Sequence, residues 1–300
     1  MYDVVIIGCG VVGAAAAYQL SRYQLKTLIL EASNDVANGT TKANSAIIHA
    51  GYDPEPGTRM ARLNVEGSRM AAELCARLHV PYLQNGSFVL AFDDEDLKSI
   101  QTLYQRGVQN GVPKLELLTG EQARAMEPNL SQQVTGALYA PTAGIVNPWE
   151  FALAMAEVAV RNGTELRLES PVTGIQAIPG GYRLEAPTGA VEARYVVNAA
   201  GVRADLVHAL LEEPGYAIHP VRGEYYLLDK SQGKQVSRVI FQCPNKDGKG
   251  VLVSPTIHGN LIVGPNAETI QDRRDLGTTR SGLYFVREKA VRSVPGLSFK

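Results

Sequence analysis

Three glycines near the amino terminus have the spacing of a phosphate-binding turn. Gly8, Gly10 and Gly13 join an apolar, mostly β-branched run at 4–7 to an alanine-rich stretch of high helix propensity. The first amides of such a helix lack intrahelical partners and the helix dipole adds partial positive charge, so this end attracts an anion. Gly8 permits the tight turn, Gly10 lets a pyrophosphate approach the backbone, and Gly13 allows the helix to pack closely on the strand.

Glu31 is the next candidate for ligand binding. It ends a strand predicted at 25–31, so residues 2–31 form a β-α-β unit of the kind that binds dinucleotides. A carboxylate here can accept hydrogen bonds from both ribose hydroxyls, and it disfavours a 2′-phosphate, which argues against NADP. A purely structural glycine turn is the alternative, but strand, helix, second strand and terminal acid together favour a dinucleotide site.

Two later segments bear on the choice between NAD and FAD. A long polar loop, ASNDVANGTTKANS, follows Glu31, whereas a simple NAD-binding domain would continue with further β-α-β units. The stretch RYVVNAAGVRAD at 194–205 resembles the second signature of flavoproteins with two dinucleotide-binding folds, in which a late strand returns beside the first. An ordinary buried strand capped by Gly201 is the alternative. The two segments together favour FAD.

The composition bounds the class of protein. A chain of 300 residues predicts one large domain with an inserted piece, or two domains. A hydrophobic content of 45%, a charged content of 20% and a net charge of -1 give no electrostatic reason to expect nucleic acid. The cysteines are isolated and the histidines lack metal-ligand spacing, so we expect no metal. The uncharged run at 4–21 contains glycines and lacks a basic flank, which argues against a transmembrane segment.

Helices and strands must position the candidate residues. The sequence predicts helices at 59–78, 95–110 and 149–161, with several strands between them and a strand-rich region after 216. The first of these helices is predicted from five apolar residues at helical spacing, namely Met60, Leu63, Met70, Leu74 and Leu78.

We expect an α/β fold with a Rossmann-like, FAD-binding domain of the two-dinucleotide-binding-fold type. The FAD-binding domain is predicted at 1–80 and 145–215, and a mixed α+β substrate or cap domain is predicted at 81–144 and 216–300.

From residue 2 to residue 300 the chain resembles the D-amino-acid-oxidase-like family of FAD-dependent oxidoreductases. The segments TTKANSAIIHAGYDP, TAGIVNPWEFALAMAE and PVRGEYYLL resemble recurring segments of that family. Two branches are most similar, one acting on glycerol 3-phosphate and the other on L-2-hydroxyglutarate. The stretch CPNKDGKGVLVSPTIHGNLIVGPNA favours the glycerophosphate branch. A glycine-rich turn that contacts the flavin in the family has no counterpart before Lys300, so we expect the chain to be a fragment with its last FAD-binding segment absent.

The resemblance implies oxidation of a secondary alcohol by hydride transfer to flavin. The predicted reaction converts glycerol 3-phosphate to dihydroxyacetone phosphate, and oxidation of L-2-hydroxyglutarate or of an amine such as glycine or sarcosine is the alternative. His49 matches the position of a family histidine, and a neutral imidazole with a pKa of about 6.5 suits a base near neutral pH. Ser45 is the second predicted catalytic residue, because its hydroxyl could bond the flavin or the substrate; an ordinary loop serine is the alternative.

The implied cofactor site combines the glycine turn and Glu31 with residues from later loops. The further predicted cofactor-binding residues are Val12, Thr40, Thr41, Ser45, Val172, Ala200 and Gly201.

Two cations are the predicted substrate-binding residues. Lys249 stands between two glycines, where its ammonium could reach a phosphate, although a solvated turn lysine is the alternative. Arg222 could donate two parallel hydrogen bonds to a phosphate or a carboxylate, and a salt bridge to Glu224 is the alternative.

The expected partners are a small-molecule substrate and an electron acceptor, which could be O2, a quinone or a protein. We expect a cytoplasmic or membrane-peripheral protein. The rival from another class is a catalytically silent flavin-binding or electron-transfer subunit.

Overall fold

The computed structural model describes residues 1–244 and 250–299. Its α-helices are α1 (Val11–Leu20), α2 (Arg59–Arg77), α3 (Asp94–Gln109), α4 (Gly120–Met126), α5 (Pro148–Arg161), α6 (Ala204–His208) and α7 (Arg280–Ser293). Its strands are β1 (Tyr2–Ile7), β2 (Thr27–Leu30), β3 (Ile47–Ile48), β4 (Tyr82–Leu83), β5 (Ser87–Ala91), β6 (Glu116–Thr119), β7 (Gly136–Ala140), β8 (Gly144–Val146), β9 (Glu165–Arg167), β10 (Gly174–Ile178), β11 (Gly181–Glu185), β12 (Val191–Asn198), β13 (Val221–Arg222), β14 (Tyr226–Leu228), β15 (Val239–Gln242), β16 (Leu252–Pro255), β17 (Leu261–Gly264) and β18 (Glu268–Thr269).

The first sheet contains the predicted β-α-β unit. Its strand order is β10-β11-β12-β1-β2-β9, and β1 runs parallel to both β2 and β12. The apolar, β-branched residues of β1 and β2 are buried almost throughout, as expected for strands covered on both faces. Ile7 at the end of β1 pairs with Asn198 at the end of β12. The predicted return of a late strand beside the first is therefore confirmed.

Alanines let two helices pack closely together on this sheet. Helices α1 and α5 share one buried cluster with β1 and β2, and small side chains permit a short distance between the helices. The fully buried alanines of the two helices are Ala14, Ala17, Ala152 and Ala159.

A second, seven-stranded sheet has the order β14-β17-β16-β15-β5-β7-β6. Its strands are antiparallel except for the parallel pair of β15 and β5. Helix α7 packs against it through Val286 and Ala290, and α3 lies in a separate cluster with Val89 and Leu138 of the same sheet. All of these strands lie within 81–144 and 216–300. The division of the chain into two domains stays a prediction.

The predicted helix at 59–78 is present as α2, but only part of the apolar pattern that predicted it faces the core: Leu78 is buried and Leu74 packs against the same cluster. Met60, Leu63 and Met70 are 69%, 55% and 52% exposed, whereas the residues of α2 that are buried are Ala61, Val65, Ala71 and Cys75. A Cβ on Gly51 would lie 2.5 Å from Val65 Cγ2, so the helix approaches the neighbouring loop closely. At this point the close approach favours small and β-branched side chains, whereas Met60, Leu63 and Met70 lie on the exposed side of the helix.

Helix α7 departs from the strand-rich pattern expected after residue 216. Thr279 caps it by accepting a hydrogen bond from Gly282 N. Its buried residues are few and mostly small, namely Gly282, Val286, Ala290 and Ser293. The sequence therefore lacks the broad apolar stripe by which an amphipathic helix is recognised.

An ion pair joins α6 to the segment that precedes α7. Two Arg273 nitrogens donate to the two Asp205 carboxylate oxygens at 2.7 and 2.6 Å, and Ile218 N donates to Asp205 Oδ2 at 2.9 Å. The side chains are 6% exposed for Asp205 and 16% for Arg273. The Arg273 hydrogen bonds, followed by that from Ile218 N, hold the pKa of Asp205 well below its usual range.

The Asp205→Asn variant tests this pair through the pH dependence of stability. Because the folded-state pKa is depressed, the carboxylate stabilises the fold above the unfolded pKa of about 3.9 and this contribution disappears as pH falls further. We expect the free energy of unfolding in urea to be lower than wild type at pH 7, with the difference shrinking below about pH 4. Asp272→Asn is the matched control, because the Asp272–Arg274 pair is exposed and should contribute little. A difference that stays constant down to pH 3 would contradict the assignment.

Candidate functional site

A cleft of about 850 Å³ lies at the carboxyl end of β1. Most of the predicted cofactor-binding residues line this cleft, and Gly13 and Ser45 do not. The lining residues among them are Gly8, Gly10, Val12, Glu31, Thr40, Thr41, Val172, Ala200 and Gly201. Its position agrees with the rule that parallel α/β sheets bind ligands beyond the carboxyl ends of their strands.

The glycine turn packs too closely for side chains. Gly8 has a φ of +96°, and a Cβ there would lie 2.7 Å from Ala199 O at the end of β12. A Cβ on Gly13 would lie 1.9 Å from Gly8 O. Glycine at positions 8 and 13 is therefore required for α1 to begin directly beyond the end of β1.

The amino terminus of α1 borders the cleft. Gly10 is its N-cap and Val11 N donates to Thr41 Oγ1 at 2.9 Å. The amides of Val12 and Gly13 have no acceptor within the helix, as in the first turn of any α-helix. Val12 is 67% exposed, so its apolar side chain is available to a ligand. This end of α1 can stabilise a diphosphate through its amides and dipole.

Two backbone amides hold the Glu31 carboxylate at the cleft. Cys9 N donates to Glu31 Oε2 at 2.7 Å, and Ser33 N donates to Glu31 Oε1 at 2.8 Å. Glu31 is 9% exposed, yet each carboxylate oxygen keeps a second lone pair that a ribose hydroxyl could use. Burial, together with the charges of Glu31 and Asp35, raises the pKa of the Cys9 thiol to about 12, so Cys9 is not a reactive thiolate.

These features fit a dinucleotide cofactor. Amides at a helix terminus suit the diphosphate, and a fixed carboxylate suits the ribose. Apolar side chains suit a flat heterocycle, and the cleft supplies Leu30, Val172, Leu206, Val207 and Leu210 for this purpose.

Asn44 organises the loop that leads away from the cleft, and sequence reasoning missed it. Its Nδ2 donates to Thr40 O at 3.1 Å and to Thr41 O at 2.8 Å, while its Oδ1 accepts from Ala46 N at 2.8 Å. Ala46 has a φ of +60°, a left-handed conformation rare for alanine, and its carbonyl accepts from Val146 N at 3.0 Å. The turn-forming tendency of asparagine was the available signal.

The two predicted catalytic residues lie further along this loop, on either side of β3. Ser45 Oγ lies 2.8 Å from Tyr225 OH. The His49 ring is stacked on Phe241 of β15, with centroids 5.6 Å apart and an interplanar angle of 27°. No sequence signal identified Tyr225 and Phe241, because each is remote along the chain from the residue that it contacts.

Arg222 is surrounded by carboxylates. Its nitrogens lie 2.6 Å from Asp275 Oδ2, 2.7 Å from Glu268 Oε2 and 3.2 Å from Glu224 Oε1. The structure thus shows the Glu224 salt bridge that the sequence offered as the alternative. An added anion here would meet three carboxylates, and a substrate-binding role for Arg222 stays a prediction. Lys249 lies outside the described residues.

Within the ranges 1–244 and 250–299, no cluster of His, Cys, Asp and Glu side chains could hold a metal ion.

Comparison with known proteins places the chain in a family. The family model of the DAO type, described as FAD dependent oxidoreductase, matches residues 3–299. The chain belongs to this family, and the predicted family, Rossmann-like fold and FAD cofactor are confirmed.

Individual relatives differ in the reaction that their names state. The chain is 51% identical over 297 residues to the glycerol 3-phosphate dehydrogenase of Caloramator mitchellensis. The match covers 99% of this chain and 62% of that protein. It is 32% identical over 273 residues to the L-2-hydroxyglutarate dehydrogenase of Escherichia coli K12, covering 89% of this chain and 64% of that protein. The chain therefore spans just over three fifths of the length of these two curated relatives.

A solved structure shows the same architecture. The dithionite-reduced L-α-glycerophosphate oxidase from Mycoplasma pneumoniae with FAD bound gives a TM-score of 0.93 at 27% identity, and the match covers 99% of this chain and 79% of that chain.

Gly13→Ala tests the close packing beneath the cleft. The added methyl would overlap Gly8 O, so we expect overpacking to lower the free energy of unfolding by about 1–3 kcal/mol and to reduce FAD retention. Gly67→Ala is the matched control, because it places the same methyl in open space on α2 and should stabilise the protein by about 0.5–1 kcal/mol. FAD content and chemical denaturation measure both effects. Wild-type FAD retention in Gly13→Ala would contradict the packing argument.

Proposed function

We propose that the protein oxidises the secondary alcohol of glycerol 3-phosphate to dihydroxyacetone phosphate. The observation that carries the proposal is the similarity, over almost the whole of this chain, to the glycerol 3-phosphate dehydrogenase of Caloramator mitchellensis. The cleft at the carboxyl end of β1 supports it, because its residues fit the dinucleotide part of FAD. When bound, FAD would supply the acceptor for the hydride that leaves carbon 2.

His49 is the proposed base. A ring nitrogen of its neutral imidazole takes the hydroxyl proton while the carbon–hydrogen bond breaks, which leaves a ketone. The stack on Phe241 restrains the plane of the ring. Ser45, at the other end of β3, is proposed to donate a hydrogen bond to the substrate or the flavin. Lys249 is the proposed ligand of the substrate phosphate, as a point charge suits that group.

The electrons must then pass to O2, a quinone or a partner protein, and we propose one of these as the second substrate. A cytoplasmic or membrane-peripheral location is part of the same proposal. No helix in the described part of the chain combines the length and apolarity needed to cross a membrane.

Oxidation of L-2-hydroxyglutarate is the second candidate. The 32% identity to the Escherichia coli enzyme of that name supports it. A dicarboxylate would need cations that bind its carboxylates. Arg222 could do so only if it left its present partners, of which Asp275 is 2.6 Å away.

Anaerobic mixing of the FAD-loaded, full-length protein with each substrate tests the reaction. We expect glycerol 3-phosphate to bleach the flavin absorbance, and L-2-hydroxyglutarate to do so much more slowly or not at all. Protein that binds FAD but is bleached by neither compound would contradict the proposal. Bleaching by L-2-hydroxyglutarate alone would establish the second candidate.

His49→Ala tests the base. We expect the rate of flavin reduction to fall by about 10²- to 10⁴-fold, the usual contribution of a general base, while FAD content stays unchanged. His219→Ala is the control, because His219 is an exposed histidine outside the strands and helices. Loss of FAD or of folded protein in His49→Ala would show a structural role instead.

A further inference from the structure

We infer that two aromatic residues, Tyr225 and Phe241, are positioning residues that orient Ser45 and His49 for the reaction. The inference rests on the proposed function. Phe241 lies within the seven-stranded sheet and Tyr225 directly precedes its edge strand β14, whereas Ser45 and His49 flank β3, which belongs to a different sheet. The seven-stranded sheet would thus orient the reactive side chains of Ser45 and His49.

The segment that carries Ser45 and His49 has little regular structure of its own. Strand β3 has only two residues, and within residues 1–244 and 250–299 it pairs with β8 alone, through Ile47 with Ile145 and Ile48 with Gly144. Ala46, between Ser45 and β3, has the left-handed φ of +60°. Such a conformation persists only where surrounding contacts fix it. The contacts of Ser45 with Tyr225 and of His49 with Phe241 can therefore fix the orientation of these two side chains.

Tyr225 determines the direction of the Ser45 proton. The two oxygens lie 2.8 Å apart, a normal hydrogen-bond distance. Burial raises the pKa of Tyr225 more than the Ser45 hydrogen bond lowers it, so the phenol keeps its proton at neutral pH. A phenol is a stronger acid than an aliphatic hydroxyl and is the better donor of the two. With Tyr225 donating, the Ser45 proton is directed to an acceptor outside the pair.

Phe241 restrains the His49 ring without occupying its nitrogens. The rings are stacked at 27° with centroids 5.6 Å apart, within the range of favourable aromatic pairs. Imidazole nitrogens form hydrogen bonds in the plane of the ring, so the contact of Phe241 with the face limits rotation without itself using a ring nitrogen. Phe241 is suited to this because β15 lies inside the sheet, between β5 and β16.

The Tyr225→Phe variant removes only the hydroxyl. We expect the rate of flavin reduction at saturating glycerol 3-phosphate to fall by about three- to tenfold, which corresponds to one lost hydrogen bond. FAD content and the thermal midpoint should stay as in wild type. In a Ser45→Ala background the same change should have no further effect, because Tyr225 acts through Ser45. Tyr226→Phe is the matched control: its ring packs on Phe299 in the separate cluster with α7.

The Phe241→Leu variant removes the stacked ring. We expect a similar three- to tenfold fall in the reduction rate, the size of one aromatic contact, which Phe241→Tyr should restore because it keeps the ring. In a His49→Ala background Phe241→Leu should have no further effect on the rate. Phe285→Leu on α7 is the control for the same chemical change elsewhere.

The outcomes separate this inference from the proposed function. If wild-type flavin is not reduced by glycerol 3-phosphate, the proposed function fails and the inference fails with it. If wild type is reduced, the positioning roles alone are overturned by wild-type rates in Tyr225→Phe and Phe241→Leu. The positioning roles would also be overturned if either variant lowered the reduction rate further in its Ser45→Ala or His49→Ala background. The same holds if loss of FAD or of folded protein accounted for the lower rate.

Discussion

The contact between Gly13 and the carbonyl of Gly8 is the constraint on which the cleft at the end of β1 depends. A Cβ on Gly13 would lie 1.9 Å from that oxygen, so α1 can begin immediately after β1 only without a side chain at this position. The contact sets the amino terminus of α1 beside the end of β1. Glu31 lies just beyond the end of β2, and Ala199 follows β12. The carboxyl ends of the parallel strands β1, β2 and β12 thus bring the amides of α1, the Glu31 carboxylate and small residues to the same edge of the sheet.

One loop connects this cleft to the proposed reaction segment. Thr41 accepts a hydrogen bond from Val11 at the start of α1, and Asn44 then ties the Thr41 carbonyl to the left-handed Ala46. His49 follows after β3. The residues that border the cofactor site and the proposed base are therefore part of one hydrogen-bonded segment.

Local patterns in the sequence were sufficient to predict the three central strands of the first sheet, β12, β1 and β2. The β-α-β unit at 2–31 and the parallel return of β12 follow from runs of apolar residues, glycines at fixed spacing and a terminal acid, all read within short windows. Most of the residues predicted to bind the cofactor, though not Gly13 and Ser45, line one cleft, since parallel strands bring their ends together.

Contacts between remote segments could not be predicted in this way. Tyr225 meets Ser45, and Phe241 meets His49, only because the second sheet lies against β3, and no periodicity encodes that arrangement. The same limit explains why Met60, Leu63 and Met70 of α2 are exposed although they follow the helical apolar spacing. Met60 and Val65 are both apolar, and the close approach of Gly51 decides that Val65 is the buried one. The ion pairs of Arg222 with Glu268 and Asp275 likewise join segments that are remote along the chain, so the sequence pattern did not indicate them.

The most direct test of the account is a crystal structure of the FAD-loaded protein. The account predicts electron density for the diphosphate within hydrogen-bond distance of the amides of Val12 and Gly13, with the ribose hydroxyls on the Glu31 carboxylate. FAD bound elsewhere, or a diphosphate held only by side chains away from the start of α1, would contradict it.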